Sequence, residues 1–181
     1  AVMNDLKTMT RPSQPIQAGA AVNDSLLATI EQFLYHEARL LDQLQYDQWL
    51  NQFTDEGTYW IPAQRGQTDP INVPSIIYEN KDVLTMRVRR LADNRTYQTA
   101  PRPYTVHMVS NILLEPSTNE AHEHTVYSSL MVHEFRDSQH RLFSGLGTHV
   151  LHDTPQGLKI ISKRIDLLDC DGLHNAFMSL L

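Results

Sequence analysis

Four runs in the C-terminal part of the chain alternate apolar and polar side chains with a period of two, which a helix cannot carry and a half-buried strand requires. Tyr104–Glu115 sets Val106, Met108, Ser110, Ile112 and Leu114 on one face and His107, Val109, Asn111 and Leu113 on the other. Thr125–Phe135 divides Val126, Leu130 and Val132 from Tyr127, Met131 and Phe135, and Arg141–His152 and Leu158–Leu168 keep the same period. The connections Glu115–Glu123, Arg136–His140 and Asp153–Gly157 are short and polar, as hairpin loops are, so the strands run antiparallel.

The first half follows a different period. Leu26, Leu27, Ile30, Phe33, Leu34, Leu40 and Leu41 recur at helical spacing behind a capping group at Asn23, Asp24 or Ser25, with Glu37 on the same stripe. Residues 46–53 predict a shorter helix with Trp49, Leu50 and Phe53 inward. Thr54–Gly57 reads as a stop and turn, Thr58–Ile61 as a strand ended by Pro62, and 63–77 as a loop. Residues 79–92 fit helix or strand, and the spacing of Leu84, Val88 and Leu91 favours helix, with Arg87, Arg89 and Arg90 fanning over the other faces. Helices first and a long sheet after them predict an α+β fold rather than alternating βαβ units. Such a sheet with helices on one face makes a cone or half-barrel that often encloses a pocket. Residues 1–22, with Pro12, Pro15 and Gly19, read as a flexible N-terminal arm, and 23–181 as a single domain.

Composition excludes several function classes. The net charge of −6 argues against a nucleic-acid or anionic-membrane binder. No apolar run approaches the roughly 18–20 residues of a membrane span, and no secretory signal precedes the domain, so a cytoplasmic location is expected. The single cysteine, Cys170, cannot form an internal disulfide, a multi-cysteine zinc site or an iron–sulfur site. Its sequence neighbours carry no histidine or basic cluster to activate it, so it reads as inert and partly buried.

Candidate chemistry is sparse. His122-Glu123-His124 has metal-ligand spacing but sits at a hairpin, where solvated loop residues are the expected reading. His36-Glu37 lacks the second histidine of the metalloprotease helix, and His133-Glu134 sends its two side chains to opposite faces of a strand. Arg164 and Asp166 share a strand face, a pattern usual for solvent or a partner surface. Gly145-Leu146-Gly147 fits a bulge or a close backbone approach better than a phosphate cradle. His107, inside a central-looking strand, reads either as a satisfied core or interface histidine or as a general base. Nucleophile-elbow, Walker and dinucleotide motifs are absent from the sequence. Two classes follow: a pocket enzyme with a few scattered polar residues, or a subunit whose work is assembly.

The stretch FLYHEARLLDQLQYDQWLNQFTDEGTYWIP at 33–62 separates them. Glu37-Ala38-Arg39-Leu40-Leu41-Asp42, then Tyr46 and Trp49, then Tyr59-Trp60-Ile61-Pro62 resemble the small (beta) subunit of Rieske non-haem iron aromatic-ring-hydroxylating dioxygenases. MRVRRL at 86–91, HMVSNI at 107–112, RLFSGLGTHVL at 141–151 and GLKIISKRIDLLDCDGL at 157–173 extend the likeness in order over about residues 25–181. Where many such subunits have Ser-Arg-Thr before the Val-Ser-Asn strand, this chain has Pro103-Tyr104-Thr105-Val106-His107.

The resemblance implies a cystatin-like, NTF2-like cone and a hexamer of three large and three small chains. It also implies a large (alpha) subunit that holds the Rieske 2Fe-2S cluster, the mononuclear non-haem Fe(II) and the aromatic substrate, and that meets a ferredoxin and/or reductase. The small chain then carries no cofactor, metal or catalytic residue and is a structural partner. One cysteine agrees, because a Rieske centre takes two cysteines and two histidines. Glu37, Asp42, Trp49, Tyr59, Trp60, Arg87, Arg90, Asn111 and Arg164 are the expected structural or interface residues. Glu37, if buried, needs a partner, and Arg87 or Arg90 is the expected one. The alternative is a stand-alone NTF2-like isomerase or dehydratase using His107 with a carboxylate. Its pocket would be open, whereas a scaffold would have the cone plugged by Tyr59, Trp60, Met86 and Met108. A scaffold subunit should also expose an apolar patch for its partner.

Overall fold

The computed structural model describes residues 24–93, 101–115, 122–172, 174 and 179–181; the expected arm at 1–22 lies outside the described residues. The chain order is α1 (Asp24–Asp42), α2 (Tyr46–Leu50), β1 (Phe53–Pro62), β2 (Ser75–Asn80), α3 (Lys81–Ala92), β3 (Tyr104–Leu114), β4 (Glu123–Arg136), β5 (Gln139–Thr154) and β6 (Gly157–Leu167). The six strands form one sheet in the order β2-β1-β6-β5-β4-β3. Every pairing is antiparallel except β1 with β6, which is parallel, so the sheet is mainly antiparallel as expected.

Helix α1 buries Ile30, Leu34, Glu37, Ala38, Leu40 and Leu41. That stripe meets inward residues of β3, β4, β5 and β6, so the sheet curls around the helix. Close packing of the strands depends on the Gly145/Gly147 pair. A Cβ at Gly145 would stand 2.7 Å from the Asp166 carbonyl oxygen, and one at Gly147 would stand 2.7 Å from Ser128 Oγ. These glycines therefore mark a close approach, with regular pairing through both. Helix α3 starts where the Asn80 side chain accepts a 3.0 Å hydrogen bond from the Val83 N–H, and it buries Leu84 and Val88.

Four local expectations need correction. Thr54–Gly57 does not turn: β1 runs through it, with an irregularity against β6 between Phe53 and Thr58 that absorbs the turn-prone residues. The second helix ends at Leu50, not at residue 53. Ser75–Ile77 belongs to β2, because Ile77 pairs with Ile61 on β1. The loop ahead of it is organised by Gln67, which accepts from the Ala63 N–H and donates to the Asp69 and Val73 carbonyls and to Ser75 Oγ. On β3 the alternation breaks at Asn111, whose φ of 52° is left-handed. One extra residue sits there, since Ser110 pairs with Ser129 but Leu113 with Tyr127. Val106 and Met108 consequently face out, whereas Ile112 and Leu114, expected beside them, turn in with Thr105, His107 and Val109.

The β4–β5 hairpin closes as a two-residue turn with Asp137 and Ser138 both at positive φ (51° and 61°) between the Arg136–Gln139 pair. Turns of that hand match the twist of paired strands.

Candidate functional site

Among the described residues, two clusters of polar groups lie inside the cone on either side of α1's C-terminal half. In the first, the buried Glu37 carboxylate accepts hydrogen bonds from Trp49 Nε1 (3.0 Å) and Lys163 Nζ (2.7 Å) through Oε1, and faces His149 Nε2 at 3.2 Å through Oε2. All four residues are buried. Burial alone would raise the Glu37 carboxyl, but the Lys163 ammonium and the His149 ring beside it hold it well below the usual carboxylate range. The carboxylate is thus a fixed anion. The expected partners are corrected: Arg87 instead grips Glu79, with Nε at 2.9 Å from both oxygens and Nη2 at 2.5 Å from Oε1, and Arg90 is exposed.

In the second cluster, Asp42 at the end of α1 accepts from the His107 backbone N–H (3.1 Å), Thr105 Oγ1 (3.1 Å) and His107 Nδ1 (2.6 Å). His107 Nε2 lies 3.0 Å from the Leu180 carbonyl oxygen. Both ring nitrogens face pure acceptors. With each nitrogen already engaged inside the protein, neither is turned to a substrate proton. The Leu180 contact is one of three in a row. Ser179 Oγ donates to Glu134 Oε2, and Tyr59 Oη both accepts from the Leu181 N–H and donates to its carbonyl. Burial, eased by the Leu181 contact, still pushes the Tyr59 phenol well above its usual value.

Between the clusters lies a cavity of about 20 Å³, lined by Leu34, Leu41, His107, Ser128, His149 and Lys163 among others. One water fits such a volume, and an aromatic ring does not. The cone is plugged, but not by the expected set. Met86 and Met108 are exposed, and Trp60 lies on the opposite face of the sheet from Tyr59. There the Arg164 guanidinium stacks 4.2 Å over the Trp60 ring and grips Asp166 at 2.7 and 2.6 Å. Arg164 is buried, which corrects the expectation of a solvent or partner-facing charge pair. Asn111 Nδ2 donates to Ser129 Oγ across the bulge. Cys170 is buried, and burial with the Asp171 charge pushes its thiol up.

The sequence profile described as "ring hydroxylating beta subunit" matches residues 36–171. The chain belongs to that family.

Similar proteins agree with this beta-subunit assignment. The beta subunit of benzoate 1,2-dioxygenase from Acinetobacter baylyi is 29% identical over 84% of this chain and 92% of its own length. The small oxygenase component of the p-cumate 2,3-dioxygenase system of Pseudomonas putida is 30% identical, covering 80% of each. Among solved structures, the beta subunit of benzoate 1,2-dioxygenase from Burkholderia mallei superposes with a TM-score of 0.66 at 29% identity, over 82% of this chain and 93% of that one. The NTF2-like cone is thereby shown.

The beta subunit's outer sheet face carries what the interior does not. Tyr104, Val106 and Met108 of β3, Met131 and Phe135 of β4 and Leu142 of β5 are all exposed, Tyr104 by 74% and Leu142 by 58%. Register joins them: Tyr104 is opposite Phe135, Met108 opposite Met131, and Val106 and Leu142 flank His133. They form one apolar band that surrounds His133, well beyond the scattered exposed residues normal on a monomer.

Sequence reasoning missed Lys163 and His149. The signal was present, because each falls on the inward parity of its strand, Lys163 with Ile165 and Leu167, and His149 with Phe143 and Leu151. A lone acid on a helix's apolar stripe calls for such lone bases on the facing strands.

Proposed function

We propose that this beta subunit is the non-catalytic scaffold of the terminal oxygenase component of a Rieske dioxygenase. Its large-subunit partner carries the 2Fe-2S cluster and the mononuclear Fe(II), in an assembly of three large and three small chains in the cytoplasm. A ferredoxin and/or reductase delivers electrons from NAD(P)H to the large subunit. The arm at 1–22 orders against a neighbouring subunit, beside a single domain at 23–181. The nine residues Glu37, Asp42, Trp49, Tyr59, Trp60, Arg87, Arg90, Asn111 and Arg164 serve structure or interface and not chemistry. The observation that carries this reading is the apolar band on β3–β5, an exposed surface of the kind that obligate interfaces bury. The water-sized interior cavity and the doubly engaged His107 count against the stand-alone isomerase or dehydratase. Benzoate and p-cumate, named for the two similar proteins above, are aromatic carboxylates, which favours that class as the substrate of the complex.

Co-expression with the large subunit, followed by purification through a tag ahead of Ala1, tests the proposal. The expected product is an iron-containing complex several times the mass of one chain, with both polypeptides in equal amount and activity on benzoate-type acids. Recovery of this chain alone and free of iron would overturn it.

A further inference from the structure

Two histidines lie on the same outer face as the apolar band, His133 between Val106 and Leu142 and His140 against Phe135, and the scaffold reading gives neither imidazole a task. His133 on β4 and His140 on β5 are exposed, and a 2.9 Å hydrogen bond joins His133 Nε2 to His140 Nδ1, a bond that a shared ion would replace. They occupy a cross-strand diagonal, since His133 is opposite Leu142 and His140 opposite Phe135. The His140 ring is braced by Phe135 at 4.8 Å, and the two imidazoles are tilted by 34° at a centroid distance of 5.0 Å. The strand register and the turn at Asp137–Ser138 fix the backbone positions from which the two rings meet.

We propose that His133 and His140 form a chelating site for a divalent transition metal of the nitrogen-preferring kind, Cu(II) or Ni(II). Two nitrogens 2.9 Å apart, each roughly 2.0–2.1 Å from a shared ion, subtend an angle of about 90° at it. That is the cis angle of square-planar and tetragonal sites, whereas tetrahedral zinc would want the nitrogens about 3.4 Å apart. The side chains that share the face, Tyr104, Val106, Phe135 and Leu142, bear no charge to repel a cation. The charged neighbours along the strands are turned elsewhere: Glu134 is buried on the inner face beside Ser179, Arg141 reaches that same Glu134, and Arg136 Nε donates to the Pro101 carbonyl. No group of three or more histidine, cysteine or acidic side chains with metal-binding geometry occurs among the described residues. The two imidazoles are therefore the protein's contribution, and the remaining positions fall to water. Because the strands hold both ligands together, the second nitrogen binds at high effective concentration, and removing either one forfeits that advantage.

Calorimetric titration of the full chain with NiCl2 and with CuSO4, alongside His133→Ala, His140→Ala and a His122→Ala/His124→Ala control, tests the site. One equivalent should bind, roughly tenfold or more weakly in either single variant and unchanged in the control. The Cu(II) electron paramagnetic resonance spectrum should show two nitrogen ligands in the wild type and fewer in each variant. Both variant positions are exposed, so circular dichroism should report an intact fold. Absence of binding, or binding that both single variants keep at full strength, would overturn the proposal.

Discussion

Lys163 and Glu37 stand to lose most from single changes, because each is a buried charge that relies on the other. Glu37→Gln should destabilise the chain by about 3–5 kcal/mol, by leaving the Lys163 ammonium buried without its anion. Urea unfolding of the isolated chain measures this, and Lys163→Met should cost a similar amount. The pH dependence has a definite sign. The folded Glu37 carboxyl lies below its ordinary value of 4.5, so the unfolded chain takes up the proton first. The stabilisation is full above about pH 4.5 and is lost as the pH falls below it. The wild-type advantage over Glu37→Gln should therefore shrink on acidification, and a gap that widens toward pH 3 would refute the pairing. The sequence revealed that Glu37 needed a partner, because a carboxylate on an apolar stripe is conspicuous. It did not reveal which one: Arg87 or Arg90 was the expected cation, and only the curl of the sheet around α1 brings Lys163 to the helix.

Elements were legible where period and length agreed, as in α1 and the β4–β5–β6 run. They were misread where a residue type with turn preference was held in a strand by its neighbours, as at Thr54–Gly57. The Asn111 bulge is the instructive case, since one extra residue inverts the parity of everything after it. Asn111→Val should cost about 1–2 kcal/mol, because a branched side chain is strained at its left-handed φ, while Asn111→Gly should be tolerated. Unfolding curves of the two variants separate these effects. At the same level, Asp42 explains the end of the Leu-Leu-Asp motif. β3 is an edge strand, and the carboxylate covers the His107 N–H and the Thr105 hydroxyl that would otherwise offer themselves to another chain.

The whole molecule has an apolar core in which a few polar groups are paired, and it keeps a second apolar surface, the band on its outer face, which suits a subunit. Met108→Lys combined with Leu142→Lys should leave the thermal stability of the isolated chain within about 0.5 kcal/mol, since both sites are exposed. The same pair should prevent recovery of the iron-containing complex, and assembly at wild-type yield would show that the band is not an interface. Family and fold class could be read from the chain in advance; the plug could not, because Leu180 and Leu181 meet His107 and Tyr59 only through tertiary closure. The parallel seam of β1 against β6 has a further effect, on time and not on shape. Phe53 meets Ile160, so the hairpin of β1 and β2 leaves the ribosome early and waits for nearly the whole chain before it can dock. The β4–β5–β6 meander needs only local turns. Refolding of this chain should therefore be slow for its size, with Trp49 and Trp60 reaching their final fluorescence after the meander has formed, and the interval between the two is when the chain is most exposed to aggregation.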